Sequence, residues 1–257
     1  RQTVREHCRN TAALAAAALR SIGLEKSAYL AGLLHDAGKN KDEYAQYLSA
    51  AVSGENAVRG SVNHTFAGAR FLLERWHCAD GEFSYSDVAA ELLAFAVGSH
   101  HGLFDCIDAR QNSGFFHRQT KEGIFYDESI RNFLEQCADE EELERLFQAA
   151  VREMTPLMDR LSALSTQADD NEANRETAFY IGLLARLLLS AVIEGDRADT
   201  ASFMAGDAPP QYPEDMRPVW AARLAFMEAK LSEFPQKTPI DRARRRISDA
   251  CAAAAAR

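Results

Sequence analysis

The apolar residues of this chain recur at helical spacing over long stretches, and nowhere do they settle into the strict alternation of a half-buried strand. That periodicity restricts the fold to an all-α class. Thr3 to Arg20 is rich in Ala and Leu and stops near Gly23. Ser27 to Ala37 carries an apolar face of Tyr29, Leu30, Leu33 and Leu34 and ends at Gly38, as a helix C-terminus should. Asp42 to Val52, His64 to Trp76 and Ser86 to Ser99 read as helices of similar length. Gly102 to Tyr126 reads as a loop with no clean period, and its pair Phe115-Phe116 is expected to pack in the core. Asp127 to Leu164 and Asn174 to Ile193 are helical again. The second, with Leu183, Leu184, Leu187, Leu188 and Leu189, reads as the central helix. Pro209, Pro210 and Pro213 make a break before helices at Pro218 to Phe234 and from Ile240 onward.

The chain of 257 residues has no internal repeat and no linker rich in Gly, Ser or charge, so a single domain over 1–257 is expected. No apolar run approaches the ~20 residues of a membrane span, and no membrane contact is expected. Five cysteines, none at Cys-x-x-Cys spacing, argue against a disulfide framework or a thiolate zinc site and fit a reducing cytoplasm. The net charge of −9 runs against a stand-alone nucleic-acid binder. The one dense cationic run is Arg242, Arg244, Arg245 and Arg246. The acidic run Asp139 to Glu142 reads as a solvated helix start.

Chemistry is concentrated in histidines placed around the apolar helices. His35 and Asp36 close the first strongly apolar segment, in Leu33-Leu34-His35-Asp36-Ala37-Gly38-Lys39. Successive helical residues diverge by ~100°, so this pair cannot chelate side by side, but the two oxygens of Asp36 can bridge neighbouring ions. His100-His101 repeats the arrangement after Leu92 to Val97. His7 lies one turn into the first helix, His64 opens another, and Asp196 follows the most apolar one. Leaving such groups buried and unsatisfied would cost ~1–3 kcal/mol each. Imidazole with carboxylate and no thiolate suits Mn, Fe, Co, Ni or Zn, and argues against magnesium alone. His77 and His117 fall outside the series.

The words Arg5-Glu6-His7, Ala31-Gly32-Leu33-Leu34-His35-Asp36-Ala37-Gly38-Lys39, His64-Thr65-Phe66-Ala67-Gly68-Ala69, Ser99-His100-His101-Gly102 and Asp196-Arg197-Ala198-Asp199-Thr200 resemble the HD phosphohydrolase superfamily. The finer pattern is similar to the HD nuclease domain of the CRISPR-associated helicase-nuclease of type I interference systems. The resemblance implies a helical domain with a dinuclear metal site, and nuclease action on single-stranded DNA in antiviral defence. It implies one ion held by His7, His35, Asp36 and Asp196, and another by Asp36, His64, His100 and His101. Asp36 bridges them, and Lys39 contacts the phosphate. Asp199 is the rival to Asp196, being three residues further along the same face. The implied partners are single-stranded DNA, a helicase domain, a CRISPR surveillance complex and a protein inhibitor. The segment from about 237 to 257 resembles the start of the connection to that helicase. The chain has no P-loop, so it resembles the nuclease part alone. A phosphohydrolase acting on a nucleotide or cyclic nucleotide is the alternative.

Overall fold

The helical periodicity is realised along the chain. The computed structural model describes residues 2–54, 58, 62–78, 84–102, 114–121, 123–165 and 169–255, and among them are eleven α-helices and no strand. They are α1 (Val4–Leu19), α2 (Glu25–Leu34), α3 (Asp42–Ser53), α4 (Ala67–Trp76), α5 (Tyr85–Ser99), α6 (Gly114–Gln119), α7 (Tyr126–Gln136), α8 (Glu140–Ser165), α9 (Asp170–Ala205), α10 (Arg217–Glu233) and α11 (Pro239–Ala255). Short 3-10 turns at Arg20–Ile22 and Ala37–Lys39 follow α1 and α2.

Local chemistry starts these helices where the site needs them. Thr3 and Glu6 form a reciprocal capping box at α1, with Glu6 N–H donating to Thr3 Oγ1 and Thr3 N–H to Glu6 Oε2. Ser84 and Asp87 do the same for α5, and Asp87 also accepts from Cys78 N–H. Helix α2 has no side-chain cap of its own. Its first turn is satisfied from a distant helix: Glu153 of α8 accepts from Lys26 N–H and Ser27 N–H at 2.8 Å each and from Ser27 Oγ at 2.7 Å.

The chain divides into two compact units, residues 1–214 and 215–257. In the first, α2 is the central helix, against α1, α5, α8 and α9, and Leu30, Leu33 and Leu34 are fully buried. This corrects the expectation that the Leu-rich segment at 183–189 is central. Leu184, Leu188 and Leu189 of α9 are buried, but Leu183 and Phe179 are 45% and 65% exposed. Helix α9 is one-sided where α2 is surrounded. Asn171–Ala205 is also long and apolar enough, by length and composition, to cross a membrane, although no single apolar run had suggested a span. Its inner face joins the core through Leu188, Ala191 and Val192.

Three further expectations need correction. His64 does not open a helix; it lies in a loop three residues before α4. Asp196 does not follow the apolar helix, because α9 runs on to Ala205, where Gly206 caps it in the left-handed region. The stretch from Gly102 to Tyr126 is not all loop, since Gly114–Gln119 is helical. Residues 103–113 and the side chain of Phe116 lie outside the described residues. Phe115 packs edge-on against Phe66 at 5.3 Å, as a core aromatic does.

Two glycines let ligand-bearing segments touch backbone to backbone. A Cβ on Gly38, two residues after Asp36, would sit 2.1 Å from the carbonyl oxygen of His64. A Cβ on Gly195, beside Asp196, would sit 2.7 Å from that of Thr11 in α1. The second unit contains α10 and α11, with Trp220, Leu224, Phe226, Ile240 and Ile247 exposed.

Because the two carboxylate oxygens of Glu153 accept three hydrogen bonds at the start of α2, Glu153→Ala should destabilise the protein by about 1–2 kcal/mol. Urea unfolding followed by helical circular dichroism measures this; an unchanged midpoint would mean that water replaces the cap without loss.

Candidate metal centre

The core helices deliver their polar ends to one place. His35 is the C-terminal cap of α2 and His100 that of α5. The last carbonyls of a helix lack intrahelical donors. Each of these imidazoles turns back to supply one: His35 Nδ1 lies 2.7 Å from Gly32 O and His100 Nδ1 2.7 Å from Val97 O. His64 does the same within its loop, with Nδ1 3.0 Å from Val62 O. A carbonyl can only accept, so each Nδ1 carries the proton and each Nε2 presents a lone pair.

Those Nε2 atoms converge on Asp36, and the two carboxylate oxygens divide them. Oδ2 lies 3.2 Å from His35 Nε2 and 3.3 Å from His7 Nε2. Oδ1 lies 3.7 Å from His100 Nε2 and 3.8 Å from His64 Nε2. Asp196 joins the first set, its Oδ1 3.2 Å from His7 Nε2 and 4.0 Å from His35 Nε2. His101 joins the second: its Nε2 is 3.0 Å from His64 Nε2, and its ligand atom lies within 4.8 Å of those of Asp36 and His100. Two groups, His7-His35-Asp36 and Asp36-His100-His101, could each hold a metal ion.

Both oxygens of Asp36, His35 Nε2 and His100 Nε2 are buried without a hydrogen-bond partner. Lys39 Nζ does form an ion pair with Asp36 Oδ2. Asp36 Oδ1, His35 Nε2 and His100 Nε2, left orphaned at one point, would cost about 1–3 kcal/mol each. Divalent cations satisfy such a donor set, so the residues fit the metal that their chemistry implies.

Asp199 has a different task from Asp196. It is buried, and its Oδ2 accepts from His7 Nδ1 at 2.6 Å and Gln2 Nε2 at 2.8 Å, while Oδ1 accepts from Asn10 Nδ2 at 2.8 Å. Both of its oxygens are occupied by protein donors, so it orients His7 from behind, leaving Asp196 to face the centre. Gln2 and Asn10 were not singled out by sequence. Asn10 follows His7 by three residues on one helix face, and that spacing was the available signal. His77 bonds Glu91 at 3.0 Å, outside the centre, and His117 is exposed.

The electrostatics follow the same division. Burial acts to lower the pKa of His7, but Asp196, Asp36 and Asp199 outweigh it and push it up to about 10. Burial and the neighbouring imidazole of His35 bring His100 down to about 3. Burial likewise lowers His64 and His101. Burial favours protonated Asp36, yet the electrostatic influence of the neighbouring His35 imidazole and the Lys39 ammonium holds it well below the usual carboxylate range.

A family model described as HD domain matches residues 4–174, a span that takes in every residue of the centre except Asp196 and its neighbour Asp199. No curated protein matches the chain.

In the metal-free protein the raised His7 pKa makes stability depend on pH. The contribution is complete below the ordinary histidine value of 6.5 and is lost as pH rises through about 10. Thermal melts of chelator-treated protein should therefore fall in midpoint between pH 7 and 10, with a shallower fall for Asp196→Asn; equal slopes would show that Asp196 does not hold that proton.

Proposed function

The chain belongs to the HD domain family, and we propose that it is a metal-dependent nuclease hydrolysing phosphodiester bonds of single-stranded DNA in CRISPR type I interference. Membership itself makes it a metal-dependent phosphohydrolase; DNA cleavage is the narrower reading. The observation that carries the two-ion part is the division of Asp36. One oxygen faces His7 and His35, and the other faces His64 and His100.

In this reading His7, His35, Asp36 and Asp196 would hold one divalent ion, and Asp36, His64, His100 and His101 the other. The donor set favours Mn, Fe, Co or Ni over Mg alone. Ions bound there would supply Lewis-acid activation of water and of the phosphoryl group. The protein's own part is orientation and charge. Backbone carbonyls hold three imidazoles with Nε2 inward, Asp199 holds a fourth, and Lys39 brings a cation to the same carboxylate for the charge that develops on phosphate.

The series through His64, Ser99-His100-His101-Gly102 and Asp196 supports DNA as the substrate by its resemblance to the CRISPR-associated nuclease. A chain of net charge −9 would depend on partners to bring the strand to it: a helicase domain, a CRISPR surveillance complex, and a protein inhibitor as restraint. The same acidity favours a second reading, in which a small nucleotide or cyclic nucleotide is hydrolysed without any extended polyanion surface.

Protein loaded with Mn²⁺, Co²⁺ or Ni²⁺ should be incubated with circular single-stranded DNA and, separately, with mono- and cyclic nucleotides. Cleavage of the circle is expected; turnover of nucleotides with intact DNA would replace the first reading by the second. Asp36→Ala should lose bound metal and activity together, with metal content read by mass spectrometry, and retained metal would remove the bridging role.

A further inference from the structure

Six of the seven residues in the centre sit within a helix or directly after one. His64 does not: it lies in the loop before α4, and a loop needs an external anchor to hold an imidazole against Asp36. One support is the close approach of Gly38 to the His64 carbonyl. Another is Lys41, whose side chain is 0% exposed.

A buried ammonium is costly unless its donors are matched. Lys41 has three, and three acceptors meet them: Asn63 O at 2.8 Å, Gly123 O at 3.1 Å and Glu43 Oε2 at 3.0 Å. Asn63 directly precedes His64. Gly123 begins the turn leading to Phe125, whose ring lies 4.9 Å from the ammonium and whose backbone is held at φ 50°, in the left-handed region that non-glycine residues avoid. The charge thus ties two separate loops to the start of α3, and one of these loops carries His64.

We propose that Lys41 is a positioning residue for the second half of the metal centre, fixing the 62–64 segment so that His64 Nε2 faces Asp36 Oδ1. This rests on the two-ion reading above. Lys41 touches none of the reacting atoms in that reading; it acts through His64 alone.

The test is calorimetric titration of metal-free protein with Mn²⁺, with bound ions counted by electron paramagnetic resonance. Wild type should take up two ions in two phases. Lys41→Met should keep the first phase and weaken the second by about 10–100-fold, the range for losing a partner behind a metal ligand. In a His64→Ala background the same substitution should change the second phase by less than about twofold, because its target is already gone. Unchanged second-phase affinity in folded Lys41→Met, equal weakening of both phases, or a full additional loss on His64→Ala would each overturn the proposal. Should Lys41→Met fail to fold, Lys41→Arg decides. It keeps the charge but not the three-acceptor fit, so the His64 imidazole resonances should shift before metal is added and the second phase should weaken; no change in either overturns it. Uptake of a single ion by wild type would instead remove the two-ion reading, a result distinct from the failure of Lys41.

Discussion

The centre depends on one buried carboxylate. Asp36 is almost fully enclosed, and a charge in such a place is stable only against other charges. Lys39 supplies one, and His7, wedged among Asp36, Asp196 and Asp199, supplies another. Three carboxylates against one ammonium and one imidazolium leave an excess of negative charge, which draws in cations. Helices α2 and α5 end at this point, and the neutral imidazoles of His35 and His100 that cap them present their free nitrogens to it.

That arrangement is built from ordinary helix ends. The two C-terminal imidazoles satisfy carbonyls that α2 and α5 would otherwise leave open, and the same contact fixes which nitrogen points inward. A single hydrogen bond therefore serves both secondary structure and ligand geometry. At the other end of α2, Glu153 does the capping, so the helix carrying His35 and Asp36 is held at both ends by side chains rather than by its own propensity.

Much of this was legible in the sequence, for identifiable reasons. Helix positions followed from apolar spacing, and the five histidines around apolar segments marked the centre, because few other reasons place so many polar groups there. What was not legible required knowing which segments meet. The apolar density of 183–189 suggested a central helix, but density does not say whether a helix is covered on one side or all round; α2, with a shorter apolar run, is the surrounded one. Asp196 and Asp199 share a helix face and could be told apart only once Gln2, Asn10 and His7 Nδ1 were seen to occupy Asp199. Nothing in the sequence marks Lys41, since two of its three acceptors are backbone atoms of loops distant in sequence.

The pairing of His7 with Asp199 joins positions 192 apart, and Gly195 brings α9 against the backbone of α1 at the same junction. The first half of the centre is therefore a clasp between the two ends of the larger unit. Closing so long a loop is entropically costly, and little short of the folded unit can do it. Any opening that lets α1 peel from α9 dismantles the clasp. An ion held there would favour the closed chain by mass action, so metal occupancy and the integrity of the larger unit's two ends are one linked equilibrium.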